Sequence, residues 1–437
     1  MSMVVAKIDW RQLYNFASRQ ALLGFCFDGI ERLTKEFSEE LKQNPMGRDL
    51  LMTWMGKAQQ IRRQNMKVNA VAGKLYSKFR EDGSRCCILK GQGNALMYPN
   101  PYSRTPGDID VWVNASREDI TEYAKRHFNL EDDIRFHHLE TTMDGVPVEL
   151  HFFPGIMNNP IYHARLQKWF RRNADLQCSH IVGLPDGAGD IAIPTTAFNV
   201  IYQLTHLYHH FFDEGIGMRQ IIDYFLVVND FSKNVFLNNK SSKITPSLFT
   251  LKEGSTSHPD PLTLRGEGGK RPTRCSEPLR SKDGGASKPS PDCAGWDRRD
   301  AIGDIASDAS VSSAFTTDSS ASTALDVVQR ELKYLGLWKF AGAVMYVLHE
   351  ALGLSEEKMI APMDEKRGKL LLAEILEGGN FGRHFTKYGH FTQQGMAKKY
   401  FLKIWRNMHF VRYYPAEALS EPIFRTWHFF WRMKNKK

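Results

Sequence analysis

Gly107-Asp108-Ile109-Asp110-Val111-Trp112-Val113 places two carboxylates two residues apart in an apolar run. On a β-strand alternate side chains share a face, so Asp108 and Asp110 project together while Ile109, Val111 and Val113 supply a core. Two like charges held close repel unless a cation lies between them. A hard cation such as Mg²⁺ takes oxygen ligands and leaves room for waters and substrate phosphates. A third acid, Glu149, sits in Val146-Pro147-Val148-Glu149-Leu150-His151 with apolar neighbours on both sides. An acid embedded in an apolar strand needs a partner. A metal shared with Asp108 and Asp110 would be one; a salt bridge or an edge-strand position would be another. Upstream, the apolar Cys87-Ile88-Leu89 runs into Lys90-Gly91-Gln92-Gly93. Glycines let the backbone approach an anion, the following helix start offers free N–H groups, and Lys90 adds a cation.

Elements that would hold these residues follow from the hydrophobic pattern. Residues 8–34 read as a helix with Trp10, Leu13, Tyr14, Phe16 and Ala17 on one stripe, and 50–81 as a second, longer helix. Strands are expected at 86–89 and 108–113. A helix is expected at 119–127, and a hairpin of 136–144 and 146–152 turning at Asp144-Gly145. From Thr195 onward the pattern is helical: 195–212, 217–230, 325–350, 366–377 and 396–412. His206, His209 and His210 share one side of the first of these helices. With no Cys partner, packing against the strand-rich part or contact with a nucleotide is a better account of them than zinc. Arg219 and Asp223 stand at i and i+4 and most simply pair with each other, with a nucleotide-facing Arg219 as the alternative. Gly378 to Gly382 reads as a helix-terminating loop.

The pattern breaks between about 233 and 323. From Asn238 to Thr323 only Phe249, Trp296 and Phe315 are aromatic, and twelve basic residues nearly cancel eleven acidic ones. Such a stretch buries too little apolar surface to offset its ordering entropy. It is expected to be a disordered insertion in a helical domain formed by 193–232 and 324–437. Residues 1–84 form the N-terminal helices and 85–192 the α/β part. The whole chain, 437 residues with 42% hydrophobic and 24% charged, has ordinary globular values, which exclude collagen-like, wholly disordered and membrane-embedded classes. Met1 to Trp10 has no signal-peptide character, no window is long and apolar enough to span a bilayer, and the six cysteines show no metal or disulfide spacing. A cytoplasmic location is expected, with free thiols.

The net charge of +9 is concentrated. Met396 to Lys437 carries ten Lys or Arg against two Glu, together with eleven aromatic residues. Outside this tail the chain is close to neutral, so a nucleic-acid track is not expected. Ser420-Glu421-Pro422 reads as a helix start, followed by Phe424, Trp427 and Trp431 at helical spacing. The tail helix either docks its aromatics on the body or lies against a membrane surface or a protein partner.

The motifs together resemble the DNA polymerase beta-type nucleotidyltransferase superfamily: a strand, a glycine-containing turn and helix, an Asp-x-Asp strand, then an acid on an adjacent strand. More narrowly, Leu89-Lys90-Gly91, Tyr98-Pro99, Arg104, Gly107-Asp108-Ile109-Asp110 and Val148-Glu149-Leu150-His151 resemble the bacterial nucleotidyltransferase family protein group. The likeness continues through Thr205 to Phe211, Gly215 to Asp223 and Gly378 to Gly382. It implies an α+β fold: a small mixed sheet as the nucleotidyltransferase core, with an N-terminal helical segment and a C-terminal helical domain. It further implies an enzyme that moves a nucleoside monophosphate from an NTP, ATP among the candidates, to a small molecule, glycan precursor or protein, with Mg²⁺ or Mn²⁺ as cofactor. Asp108, Asp110 and Glu149 would be the catalytic metal ligands. Lys90, Gly91, Gln92, Gly93, Arg104 and Arg219 would bind the nucleotide. Gln92 stands where the superfamily turn usually has Ser or Gly, which leaves phosphate binding to Lys90 and backbone N–H groups. The same departure keeps open an inactive nucleotide-binding regulator, or a membrane-peripheral accessory protein, of the same fold.

Overall fold

A computed structural model describes residues 7–130, 135–240, 323–385 and 396–435. These belong to one compact unit. The compositional break lies outside them from residue 241 to 322. Residues 233–240 do not share in the break, because the helix that contains them runs on to Lys240.

The fold is α+β, as expected. The N-terminal helices are α1 (Trp10–Arg19), α2 (Leu23–Glu36), α3 (Ser38–Gln43) and the long α4 (Arg48–Glu81). Then come β1 (Cys86–Leu89), the short α5 (Gly91–Ala95), β2 (Ile109–Val113), α6 (Arg117–His127), β3 (His138–Met143) and β4 (Val146–His151). These strands form one mixed sheet in the order β1-β2-β4-β3. β2 and β4 are parallel, and both outer pairs are antiparallel. The Asp144-Gly145 turn, with both residues at positive φ, closes the β3–β4 hairpin as anticipated.

Alternation divides the sheet into two faces. Ile88, Ile109, Val111, Val148 and Leu150 join Val71, Leu75 and Phe79 of α4 and Ile120 of α6 in one core. Cys87, Leu89 and Trp112 face the other way, into a second core built mainly by the helices. Trp112 stacks on Phe198 with ring centroids 6.0 Å apart. Phe198 belongs to α8 (Thr196–Asp213), which follows α7 (Pro160–Ser179) and the small hairpin β5 (Ile181–Gly183) and β6 (Asp190–Ala192). The sequence pattern assigns no element to this last region. Its start signal is nonetheless present: Pro160 opens α7, and the Asn159 side chain accepts from the N–H groups of Ile161 and Tyr162.

The remaining helices are α9 (Met218–Lys240), α10 (Ala324–Tyr334), α11 (Trp338–Leu352), α12 (Glu365–Gly378), α13 (Met396–Met408) and α14 (Pro415–Asn435). Three expected helices differ from those observed. The expected helix 8–34 breaks at Gln20–Leu22, with Ala21 at φ 57°. The break lets the buried Gln20 side chain donate to Ile375 O and accept from Met218 N. Phe16 leaves the predicted stripe and is exposed. The expected helix 325–350 divides at Gly336, φ 74°, where Leu337 N bonds back to Leu332 O. The last helix begins at Pro415 rather than Ser420, and Pro422 lies inside it. Its first turn is anchored by Glu417, whose carboxylate accepts from the backbone N–H of Asn158 and Asn159.

Phe424, Trp427 and Trp431 of α14 gather around Phe136, with centroids 6.1, 5.1 and 5.7 Å away. One side of the tail helix therefore docks on the body. Its other side leaves Ile423, Phe429 and Phe430 exposed. No helix among the described residues is long and apolar enough to cross a membrane. Cys26, Cys86, Cys87 and Cys178 are free thiols; Cys275 and Cys293 lie outside the described residues.

Candidate active site

The chain turns sharply from β1 into α5. Lys90 occupies this turn at φ 49°, an unusual conformation for a residue with a side chain, and Gly91 follows at φ 30°. The turn throws the Lys90 side chain over the sheet. Its Nζ lies 2.9 Å from Asp110 Oδ1 and 3.3 Å from His206 Nε2 of α8. Gln92 does not follow it: the residue is buried and its amide donates to Asn69 Oδ1 of α4. Gly93 sits against Ile193, whose Cγ2 would lie 2.9 Å from an added Cβ, so this glycine serves close packing. Of the expected turn residues, Lys90 and Gly91 reach the cavity described below; Gln92 and Gly93 do not line it.

The parallel β2–β4 register sets Asp110 directly beside Glu149, and the hairpin register sets Glu140 beside Glu149 and His138 beside His151. Asp108 precedes β2 and opens onto the same space. The charges are strongly coupled. Burial works against the Asp110 carboxylate, yet Lys90 and a hydrogen bond from His151 outweigh it and hold the group well below the usual carboxylate range. Asp110 in turn pushes the Asp108 carboxyl up to about 7, with burial and Glu149 acting in the same direction. His151 Nε2 lies 3.0 Å from Asp110 Oδ1 and 3.2 Å from Glu149 Oε2. Burial disfavours its charge, but those two carboxylates prevail and raise it to about 9. Glu149 is opposed by burial too, and the His151 hydrogen bond leaves it below its ordinary value.

A second wall comes from the loop before β2 and from α9. Asn65 of α4 donates to the carbonyls of Tyr102 and Arg104, which fixes the loop. Buried Arg104 then reaches Asp223 through Nε at 2.9 Å and Nη2 at 2.8 Å, while Tyr98 Oη donates to the same carboxylate at 2.7 Å. This corrects the expected pairing of Arg219 with Asp223. Arg219 instead donates to Thr105 O at 3.0 Å and lies 5.6 Å from the Phe381 ring centroid. Phe381 is itself at φ 55° within the Gly378–Gly382 segment, which thus does more than end a helix: it brings an aromatic ring into the site.

Between these walls is a cavity of about 510 Å³ lined by Lys90, Gly91, Arg104, Asp108, Asp110, Glu149 and Arg219. The three histidines of α8 also border it, along with Arg135, Asp213 and Lys403. Burial keeps His206, His209 and His210 below the usual imidazole range, so they are neutral neighbours to the cations. The donor set suits a hard divalent cation. The carboxylates converge, and the repulsion that raises Asp108 is what a cation would relieve. Asp110, Glu149 and His151 place ligand atoms within 4.8 Å of one another.

Sequence reasoning missed His137, His138, Glu140, Phe381 and Lys403. His138 and Glu140 could have been found by counting back from the Asp144-Gly145 turn, which aligns them with His151 and Glu149. Phe381 lies in the Gly378–Gly382 stretch of the family likeness, but nothing local placed it or Lys403 at the site, because the segment after α12 and the helix α13 bring them there from far along the chain.

No curated protein matches the chain. Among solved structures, an antigenic nucleotidyltransferase-like protein from Paracoccidioides brasiliensis matches at 16% identity over 37% of this chain and 75% of that one, with a TM-score of 0.25. The model of a family described as uncharacterised nucleotidyltransferase matches residues 6–245, more than half of the sequence and the whole stretch from α1 to α9. The chain belongs to this nucleotidyltransferase family.

Proposed function

We propose that the protein transfers a nucleoside monophosphate from an NTP to an acceptor hydroxyl, amine or phosphate, with release of pyrophosphate. The observation that carries this reading is one cavity, in a member of this family, that brings acids and cations together. Asp108, Asp110 and Glu149 line it with Lys90, Arg104 and Arg219. In the reaction the acceptor forms a bond to the α-phosphorus while the bond from that phosphorus to the bridging oxygen breaks. The electron pair leaves with pyrophosphate. Asp108, Asp110 and Glu149 would hold Mg²⁺ or Mn²⁺, which when bound neutralises phosphate charge and favours a deprotonated nucleophile.

The chain's own groups perform the rest. Lys90 and the Gly91 backbone take the triphosphate where the strained turn aims them. Arg104 is orientated by Asp223 and Tyr98, so its unbonded Nη1 is presented without a loss of side-chain freedom. Arg219 and Phe381 form a cationic and aromatic edge suited to the nucleoside. Glu149, nearest the hairpin side, takes the acceptor's proton. With Gln92 turned into the body, the turn carries no hydroxyl for a terminal phosphate, and Lys90 substitutes for it. For the terminal helices, the exposed Phe401, Trp405, Ile423 and Phe430 support contact with a membrane surface or a protein partner.

The test is calorimetric titration of the four nucleoside triphosphates with Mg²⁺, using wild type and Asp108→Asn. Binding to wild type that collapses in the variant, with an unchanged circular dichroism spectrum, is the expected result. Failure of all four to bind folded wild type refutes the proposal. Transfer of label from an α-phosphate to candidate acceptors then separates an enzyme from an inactive nucleotide-binding protein.

A further inference from the structure

Beyond the carboxylates, three imidazoles crowd the hairpin side of the cavity. His137 and His138 stand at the start of β3 and His151 at the end of β4. Their ring centroids are 4.3 Å (His137–His138), 5.1 Å (His138–His151) and 5.6 Å (His137–His151) apart. Each ring offers a nitrogen, and these three nitrogens lie within 4.8 Å of one another. His138 and His151 are each only 3% exposed. The Nδ1 atoms of all three rings are buried; those of His137 and His151 have no hydrogen-bond partner, and that of His138 has only the Glu149 carboxylate, 3.3 Å away. An orphaned buried polar nitrogen is unfavourable, and two of them beside a third call for something that binds nitrogen.

We propose that His137, His138 and His151 form a second divalent-cation site, of imidazole type, that takes a late first-row ion such as Zn²⁺ or Co²⁺. The ligand chemistry distinguishes it from the carboxylate site: imidazole suits these ions, whereas Mg²⁺ takes oxygen. The surroundings match as well. A metal-binding histidine generally commits its other ring nitrogen to a carboxylate, which fixes the ring. His138 Nε2 lies 3.3 Å from Glu140 Oε1, and His151 Nε2 lies between Asp110 and Glu149. Both arrangements leave Nδ1 for the ion. His138 Nδ1 also lies 3.3 Å from Glu149 Oε2, which puts an oxygen within reach as a fourth ligand. His151 would then join the two sites, keeping its Nε2 proton towards the acids and releasing its Nδ1 proton to solvent as the late metal takes that nitrogen.

This site does not depend on nucleotidyl transfer, so either proposal can fail alone. The probe is Co²⁺, added to chelator-stripped full-length protein in excess Mg²⁺ and followed by its visible absorption. The expected result is one tightly bound Co²⁺ with the strong bands of a four- or five-coordinate nitrogen environment. Binding should persist in Asp108→Asn and be lost in His137→Ala. Glu140→Gln should weaken it about 10–100-fold by loosening His138. His137 and Glu140 are only half-buried, so these variants avoid the core, and circular dichroism checks their fold. Co²⁺ that Mg²⁺ displaces, or affinity unchanged in both folded variants, overturns the proposal.

Discussion

His151 is the clearest lever on the site, because its charge is set by two identified neighbours. Its pKa moves from 6.5 to about 9 in the folded protein, through the hydrogen bonds to Asp110 and Glu149 and against burial. A group whose folded value is raised stabilises the fold fully below its unfolded value, and that contribution is lost as pH rises through the folded one. At about 1.4 kcal/mol per pH unit, the displacement corresponds to about 3 kcal/mol, lost between pH 6.5 and about 9. The perturbation is His151→Gln, which keeps an N–H donor but cannot titrate. Urea denaturation of both proteins, in chelator, from about pH 6 to about pH 9.5 gives the difference curve. Titrations of groups remote from His151 cancel. The raised Asp108 loses its own contribution in a lower window, between 3.8 and about 7, so the divergence is read above it. Wild type should fall by about 3 kcal/mol relative to the variant over the upper window. Parallel stability profiles there would refute the claim that the carboxylates hold His151 protonated.

Three further outcomes are expected. Arg104→Met should cost about 3–5 kcal/mol in chemical denaturation by stranding buried Asp223, whereas Arg104→Met with Asp223→Leu and Tyr98→Phe should recover most of it. Two glycines of α4 should respond in opposite senses. Gly56→Ala, with open space around its Cβ position, should gain about 0.5–1 kcal/mol, while Gly73→Ala should lose about 1–3 kcal/mol by driving a methyl into the Ala188 carbonyl. Phe136→Ala removes four ring contacts with α14; at about 0.5–1.5 kcal/mol each, hydrogen exchange of that helix should quicken markedly, and unchanged protection would show that its polar anchors, Glu417 and Arg425, suffice to hold it.

The sheet was legible because alternation states both faces at once. The residues that mark Ile109, Val111 and Val113 as core also force Asp110 to the opposite side, and the same holds for Glu149 between Val148 and Leu150. The hairpin was equally open to reading, and following its register would have brought His138 and Glu140 to the site. Helix ends that depend on distant partners were not. Nothing near Ala21 announces a break, since its cause is Gln20 reaching Ile375 and Met218 far along the chain. Pro422 misled for a related reason: Ser-Glu-Pro is a sound local start signal, but Glu417 is seated by the Asn158 and Asn159 backbone, and that long-range contact moves the start five residues earlier.

The site itself shows where local rules give way to competition. Arg219 and Asp223 satisfy the helix spacing for an ion pair, worth about 0.2–0.5 kcal/mol on an exposed surface. Asp223 is buried, however, and a buried carboxylate gains more from a planar, two-pronged partner that also satisfies its second oxygen. Arg104 offers that fork because Asn65 pins its backbone, and Tyr98 adds a third donor. The choice therefore belongs to α4 and the loop it holds, not to α9. It also leaves Arg219 free of a carboxylate bond and turned along the cavity towards Phe381. The spacing that predicted an intrahelical pair concealed a residue that lines the cavity, and only the fold could supply the competitor that released it.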